Sequence, residues 1–188
     1  MSIGLLVIDI QNDYFPGGKM ALQGSDAAAQ AAGRLLGFFR QRGLPIVHVQ
    51  HLSLRPGATF FVPGTPGADI HAAVKPVDGE PIIQKHFPNS FRETELSARL
   101  QELGIRQLVI AGMMTHMCVD ATTRAAADQG YECRIVQDAC ATRDLKLDNR
   151  VVAAPDVHAA FLAALNGAYG RVLTAQAVTA ELQAERRP

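Results

Sequence analysis

Apolar positions along the chain fall into two alternating patterns. Short unbroken runs of Val, Ile and Leu predict strands buried on both faces, and longer stretches with apolar residues every three or four positions predict amphipathic helices. Ile3 to Ile10 opens the series as a strand whose only charge is Asp9. A turn-rich loop from Gln11 to Gly18 follows. Ser25 or Asp26 is then placed to cap a helix that runs to Gly43, with Ala28, Ala31, Ala32, Leu35, Leu36 and Phe39 on its apolar side. Pro45 to His51 and Pro81 to Lys85 read as the second and third strands. Between them lies a Gly- and Pro-rich loop from Leu52 to about Lys75 carrying Phe60 and Phe61. Loops of that length inside a domain are more often functional than idle.

Further on, Thr94 to Leu103 reads as a helix stopped at Gly104. Leu108 to Ala111 is a fourth strand, bounded by Gly112. Thr115 is expected to cap a helix that closes at Gly130. Tyr131 to Gln137 is a fifth strand with the loop Asp138 to Asp144 after it. Pro155 to Leu165 is a helix with Pro at its start, Arg171 to Thr174 a sixth strand, and Ala175 to about Glu185 a last helix. This alternation predicts an α/β fold of three layers, with a doubly wound, six-stranded parallel sheet of order 3-2-1-4-5-6. The length suits a single domain over residues 1–188, and no internal repeat or linker interrupts it.

Ligands of such sheets sit beyond the carboxyl ends of the strands, where strand order reverses. Asp9 ends the first strand, Lys85 ends the third and Cys118 follows the fourth. With strands one and four adjacent, Asp9 and Cys118 face one crevice. Cys118 is expected in a first helical turn, where unpaired N–H groups and the macrodipole favour a thiolate. A lysine ammonium adds to that, and an aspartate can take the thiol proton and pass it to a leaving amine. The set suits C–N hydrolysis through a thioester. Two backbone N–H groups of the Gly112–Cys118 turn would receive the oxyanion, provided that the Thr115 hydroxyl does not cap the Cys118 N–H.

Charge narrows the partners. Eighteen basic and eighteen acidic side chains give zero formal net charge, so nucleic acid and anionic membranes are poor partners and a small, neutral or weakly charged molecule is a better one. Three cysteines without CxxC spacing make no disulfide framework, which points to a reducing, cytoplasmic location. The opening segment lacks a basic region, and its apolar run is too short for a signal peptide or membrane span. Neutral charge and alanine-rich helices leave association open.

The blocks Leu5 to Tyr14, Lys85 to Phe91 with Thr94 and Leu96, and Ala111 to Val119, with the weaker Asp138 to Arg143, resemble the isochorismatase-like cysteine hydrolase superfamily. That superfamily includes nicotinamidases, N-carbamoylsarcosine amidase and ureidoacrylate-type amidohydrolases. The resemblance implies Asp9 as general base, Lys85 as activating cation and Cys118 as nucleophile. It also implies an oxyanion hole from the backbone N–H groups of Met114 and Cys118, and a cis peptide between Met113 and Met114. Relatives are commonly dimers or larger, so it implies a homo-oligomer. Gln11 and Tyr14 follow the base and are expected at the substrate with Thr115; Phe60, Phe61 and Phe87 are candidates for an apolar lid. Nicotinamidases hold a divalent metal through an Asp-x-His run after the second strand. Here that place reads His51, Leu52, Ser53, so no metal or other cofactor is expected. His48 and His51, three apart on a strand, point to opposite faces. The reading is therefore a metal-independent cysteine amidohydrolase acting on a small amide, ureido or carbamoyl compound. Its alternatives are vinyl ether hydrolysis of the isochorismatase type and a non-catalytic protein that binds or senses redox state through Cys118.

Overall fold

The structure, a computed structural model, describes residues 2–185. Strands β1 (Ser2–Ile8), β2 (Ile46–His51), β3 (Ile82–Lys85), β4 (Ile105–Met113), β5 (Glu132–Ala141) and β8 (Arg171–Leu173) form one sheet in the order β3-β2-β1-β4-β5-β8. Every pairing in it is parallel. This is the expected order, with β8 as the sixth strand. A short antiparallel pair, β6 (Leu145–Leu147) and β7 (Arg150–Val152), stands apart and was not anticipated. Its two strands, Leu-Lys-Leu and Arg-Val-Val, are each only three residues long, too short for a period to stand out in the sequence.

Helices α1 (Ser25–Gln41) and α5 (Ala175–Ala184) cover one face of the sheet; α2 (Leu96–Glu102), α3 (Asp120–Asp128) and α4 (Ala154–Leu165) cover the other. Side chains of β1 alternate between the layers, Leu5 and Val7 joining Leu35, Leu36 and Phe39, and Leu6 and Ile8 joining Leu96, Leu100 and Leu162. Both faces are covered, so the strand carries no polar alternation. At the start of α1, Ser25 lies inside the helix and hydrogen-bonds back to the Leu22 carbonyl, while Gly24 takes the cap position at φ 75°. None of the helices among the described residues is long and apolar enough to cross a membrane.

The 52–75 loop is tied down rather than loose. Ile10 O accepts from the His71 N–H and Asp69 O from the Asn12 N–H. The buried Asp13 carboxylate accepts from the backbone N–H groups of Lys19 at 3.1 Å and Phe61 at 2.6 Å. Gly67 passes so close to that carboxylate that a Cβ there would collide with it. Short 3₁₀ turns at Pro66–Ala68 and Ala72–Val74 fill the remainder.

A second brace joins the loop before β3 to the sheet and α1. Glu80 receives the Arg40 guanidinium at 2.7 and 2.8 Å and the His48 Nε2–H at 2.8 Å, and also the Val77 N–H. Burial alone would raise the Glu80 pKa. The hydrogen bonds from Arg40, His48 and Val77 outweigh it and pull the carboxyl down to about 2. A carboxyl held below its unfolded value stabilises the fold above that value, and the contribution is lost as pH falls through the folded one. Stability should therefore decline between about pH 5 and pH 2, and Glu80→Gln should flatten that part of a urea-midpoint-against-pH curve while lowering the neutral-pH plateau. Unchanged curvature would show that other carboxyls govern the acid limb.

Candidate active site

Three strand ends and one turn converge at the carboxyl edge of the sheet. β1 stops at Ile8, and Asp9 takes a left-handed conformation, φ 51°, which Asp tolerates better than most residues. Its N–H donates to Val49 O and its carbonyl accepts from the Gln11 N–H, so the bend is anchored on both sides. β3 alternates exposed and buried positions and points Ile83 and Lys85 inward. Register sets Lys85 beside His51, and Ile8 beside Gly112. Gly112 has φ 149°, and a Cβ there would strike the Ile8 carbonyl oxygen, so only glycine lets β4 approach β1 this closely.

Lys85 Nζ lies 2.7 Å from Asp9 Oδ2, and neither side chain is solvent-accessible. The approach is angled away from hydrogen-bond alignment, which makes the contact an ion pair, and Oδ1 has no hydrogen-bond partner among the described residues. The ammonium also donates to Phe87 O and lies beside His51 Nδ1, both at 3.1 Å. Ligand atoms of Asp9, His51 and Cys118 fall within 4.8 Å of one another, so Asp9, with Lys85 paired to it, meets Cys118. Burial disfavours the Lys85 ammonium, but the Asp9 carboxylate and the Cys118 sulfur outweigh it, and its pKa stays above the ordinary value.

The surroundings of Cys118 differ from expectation. Thr115 to Val119 forms one π-helical turn before α3 begins at Asp120, and the Met114 carbonyl accepts from the Met117 and Val119 N–H groups. The peptide between Met113 and Met114 is cis. Thr115 does not cap this turn: its buried hydroxyl lies 3.2 Å from Ala141 O, to which it can donate, and 2.9 Å from His158 Nδ1. Its hydroxyl is therefore engaged away from the turn, as the oxyanion scheme requires. The Met114 N–H meets no backbone acceptor among the described residues. Burial raises the Cys118 pKa well above the usual thiol range, and the nearby Asp9 charge adds to this while Lys85 opposes it. The resting group is thus a thiol, contrary to the thiolate expected from a helix terminus. Enclosure beside a carboxylate outweighs the dipole.

The residues expected at the substrate separate by location. Gln11 is fully buried and spends its amide on the chain, donating to His51 O and Ala68 O and accepting from His51 N–H. It braces the loop instead of facing a ligand. Phe87 supplies a carbonyl to Lys85, while its ring lies under the Arg92 guanidinium at 3.7 Å. Tyr14, Phe60 and Phe61 form an aromatic cluster, with Tyr14 and Phe61 centroids 4.6 Å apart and Phe60 and Phe61 5.0 Å apart. Tyr14 and Phe61 are core residues, and Phe60 stands in the wall of a cavity of about 310 Å³ with His51, Ser53, His86, Pro88 and Met117. Asp9, Lys85 and Cys118 line neither this cavity, which His51 joins to them, nor a larger hollow of about 580 Å³ bounded by Asp13, Phe15, Lys19 and His71. His51 is the site residue to which sequence reasoning gave no role. Its signal was available in the register: it ends β2 as Lys85 ends β3.

Residues 4–177 match the isochorismatase domain model. The chain belongs to the isochorismatase-like hydrolase superfamily. It is 53% identical over 177 residues to the isochorismatase family protein YddQ of Bacillus subtilis, covering 94% of this chain and 98% of that one. A crystal structure described as an isochorismatase hydrolase from Oleispira antarctica superposes with a TM-score of 0.92 at 50% identity, covering 95% of this chain and 96% of that one. The maleamate amidohydrolase of Pseudomonas putida is 28% identical over 193 residues, covering 95% of this chain and 86% of its own. The isochorismatase-like family is one of hydrolases, and the α/β fold found here matches its solved members.

Removing one member of a buried ion pair strands the other charge, at a cost of about 3–5 kcal/mol. Lys85→Met should therefore destabilise the protein by that amount in urea unfolding, and the double variant Asp9→Asn with Lys85→Met should recover most of it. Equal losses in the two variants would mean that the pair is not coupled.

Proposed function

We propose that this chain is a metal-independent cysteine hydrolase that cleaves a C–N bond of a small amide, ureido or carbamoyl compound through a thioester on Cys118. The observation that carries the reading is the enclosed Asp9–Lys85 pair set against a buried thiol. The amide class draws further support from the amidohydrolase named among the relatives.

Chemistry follows from the charges. Asp9 Oδ1, free of hydrogen bonds, takes the Cys118 proton as the sulfur attacks the acyl carbon. The ammonium of Lys85 stays protonated throughout and stabilises the thiolate while Asp9 is neutral. Backbone N–H groups of Met114 and Cys118 hold the oxyanion. Collapse of the tetrahedral adduct breaks the C–N bond, and Asp9 returns its proton to the departing nitrogen, releasing ammonia or an amine. Water, deprotonated by the same carboxylate, then attacks the thioester; the acid leaves and the thiol is restored. Phe60 supplies an apolar wall of the cavity, with Tyr14 and Phe61 packed behind it in the core.

Asp9, His51 and Cys118 have the spacing of a metal tripod, yet the Lys85 ammonium is paired with two of them. A dication placed there would meet a buried positive charge at contact distance, which is strongly unfavourable in a low-dielectric interior. The lysine fills the electrostatic place that a metal would take.

Ammonia release should be measured over a panel of primary amides and ureido acids. On any substrate found, Cys118→Ala should lower turnover by about three orders of magnitude or more, and mass spectrometry of quenched wild-type enzyme should show the acyl group on Cys118. Turnover that survives the substitution would overturn the covalent route. Treatment with a chelator should leave the rate unchanged; loss reversed by added zinc or iron would overturn the metal-free reading.

A further inference from the structure

The cavity of about 310 Å³ lies at the small end of the range for ligand pockets. It adjoins the reacting groups through His51, a ring nitrogen of which lies within 4.8 Å of an Asp9 carboxylate oxygen and of the Cys118 sulfur. Beyond the histidine the wall is largely apolar, built from Leu54, Pro56, Phe60, Pro88 and Met117. One fixed charge belongs to it, that of Arg55, and no Asp or Glu among the described residues lines the space.

Local chemistry fixes the backbone that carries this charge. Arg55, Pro56, Gly57 and Ala58 form a turn in which the Arg55 carbonyl accepts from the Ala58 N–H at 3.1 Å and Gly57 takes φ 78°. Proline in the second place and a left-handed glycine in the third are the signature of a type II turn. The Arg55 side chain is exposed, and among the described residues its guanidinium meets no carboxylate and no aromatic ring. Arg40, Arg124 and Arg134, by contrast, give theirs to Glu80, Asp120 and Glu185. Nothing in the neighbouring triad compensates Arg55 either. Asp9 is neutralised by Lys85 at 2.7 Å. Burial holds His51 down at about 4 against the pull of Asp9, with the charges of Lys85, His86 and Arg55 adding to it, so that ring is neutral at pH 7. A molecule entering the cavity meets an unbalanced cation.

We propose that Arg55 determines specificity, and that the substrate is an amide or ureido acid whose carboxylate, remote from the scissile carbonyl, pairs with the Arg55 guanidinium. The planar fork of a guanidinium matches the two oxygens of a carboxylate. Apolar walls around the pair keep the field between them strong. A neutral amide of the same length would gain only the apolar contacts, and an amine-bearing one would be repelled. This substrate class rests on the hydrolase reading above and narrows it.

The test is a calorimetric titration of the full chain with levulinate, the methyl-ketone analogue of succinamate, which has no C–N bond to cleave. The ketoacid one methylene longer and the neutral methyl ester of levulinate complete the set. Wild type should bind at least one ketoacid saturably and about tenfold or more tighter than the ester, and added salt should weaken that binding. Arg55→Gln should weaken it by about tenfold to a hundredfold. Arg55→Lys, which keeps the charge and loses the fork, should fall between the two. Crystals of the complex should show the carboxylate on the guanidinium. An ester that binds as tightly as the acid, an Arg55→Gln variant that binds as wild type, or no binding of either ketoacid at millimolar concentration would overturn the proposal. Ketoacid binding that depends on Arg55 in a protein that turns over no amide would defeat the hydrolase reading alone. Acylation of Cys118 by neutral amides as readily as by amide acids would defeat this proposal alone.

Discussion

A carboxylate and an ammonium, both removed from water and 2.7 Å apart, constrain everything around them. Neither ion could be enclosed without the other, because an isolated buried charge costs far more than folding can supply. The sheet brings the pair together. Asp9 ends β1 and Lys85 ends β3, with β2 between them, so the side chains must reach across one strand to touch. The left-handed turn at Asp9 and the inward phase of β3 direct them to the same place.

The pair also sets the resting state of the sulfur. Placed beside a charged carboxylate and closed off from water, Cys118 keeps its proton. A thiol and a carboxylate within 4.8 Å of each other form a poised acid–base couple. The neighbouring ammonium then decides how much a thiolate would gain, so its hydrogen-bond geometry matters as much as its charge.

Much of this was legible in the sequence because it depends on pattern. Unbroken apolar runs gave strands covered on both sides, and the charges Asp9 and Lys85 at the ends of two strands marked the edge where ligands bind. Strand order put Asp9 and Cys118 over one crevice, and the resemblance added Lys85 to them. Illegible were features that depend on which atom a polar side chain chooses. Gln11 looks like a pocket residue by position, yet its amide is consumed by His51 and Ala68. Thr115 has the residue type of a cap and bonds instead to β5 and α4. The tendency of a helix start to favour thiolate is real, but one π-helical turn and full enclosure reverse its effect at Cys118. The β6–β7 hairpin escaped because each of its strands is only three residues long.

The ties on the 52–75 loop divide it into parts with different freedom. Gln11 grips it at Ala68, Asn12 at Asp69 and Ile10 at His71, and Asp13 grips it at Phe61. Between His51 and Phe61 the backbone runs out along the cavity and back, with Ser53 N–H donating to Phe61 O across its neck. The span from Leu54 to Phe60 is therefore a tethered arc: its side chains can be exchanged, even its length altered, while both feet stay planted and the reacting groups beneath remain undisturbed. A lineage could retarget such an enzyme to a new compound by rewriting seven positions and leaving the chemistry alone.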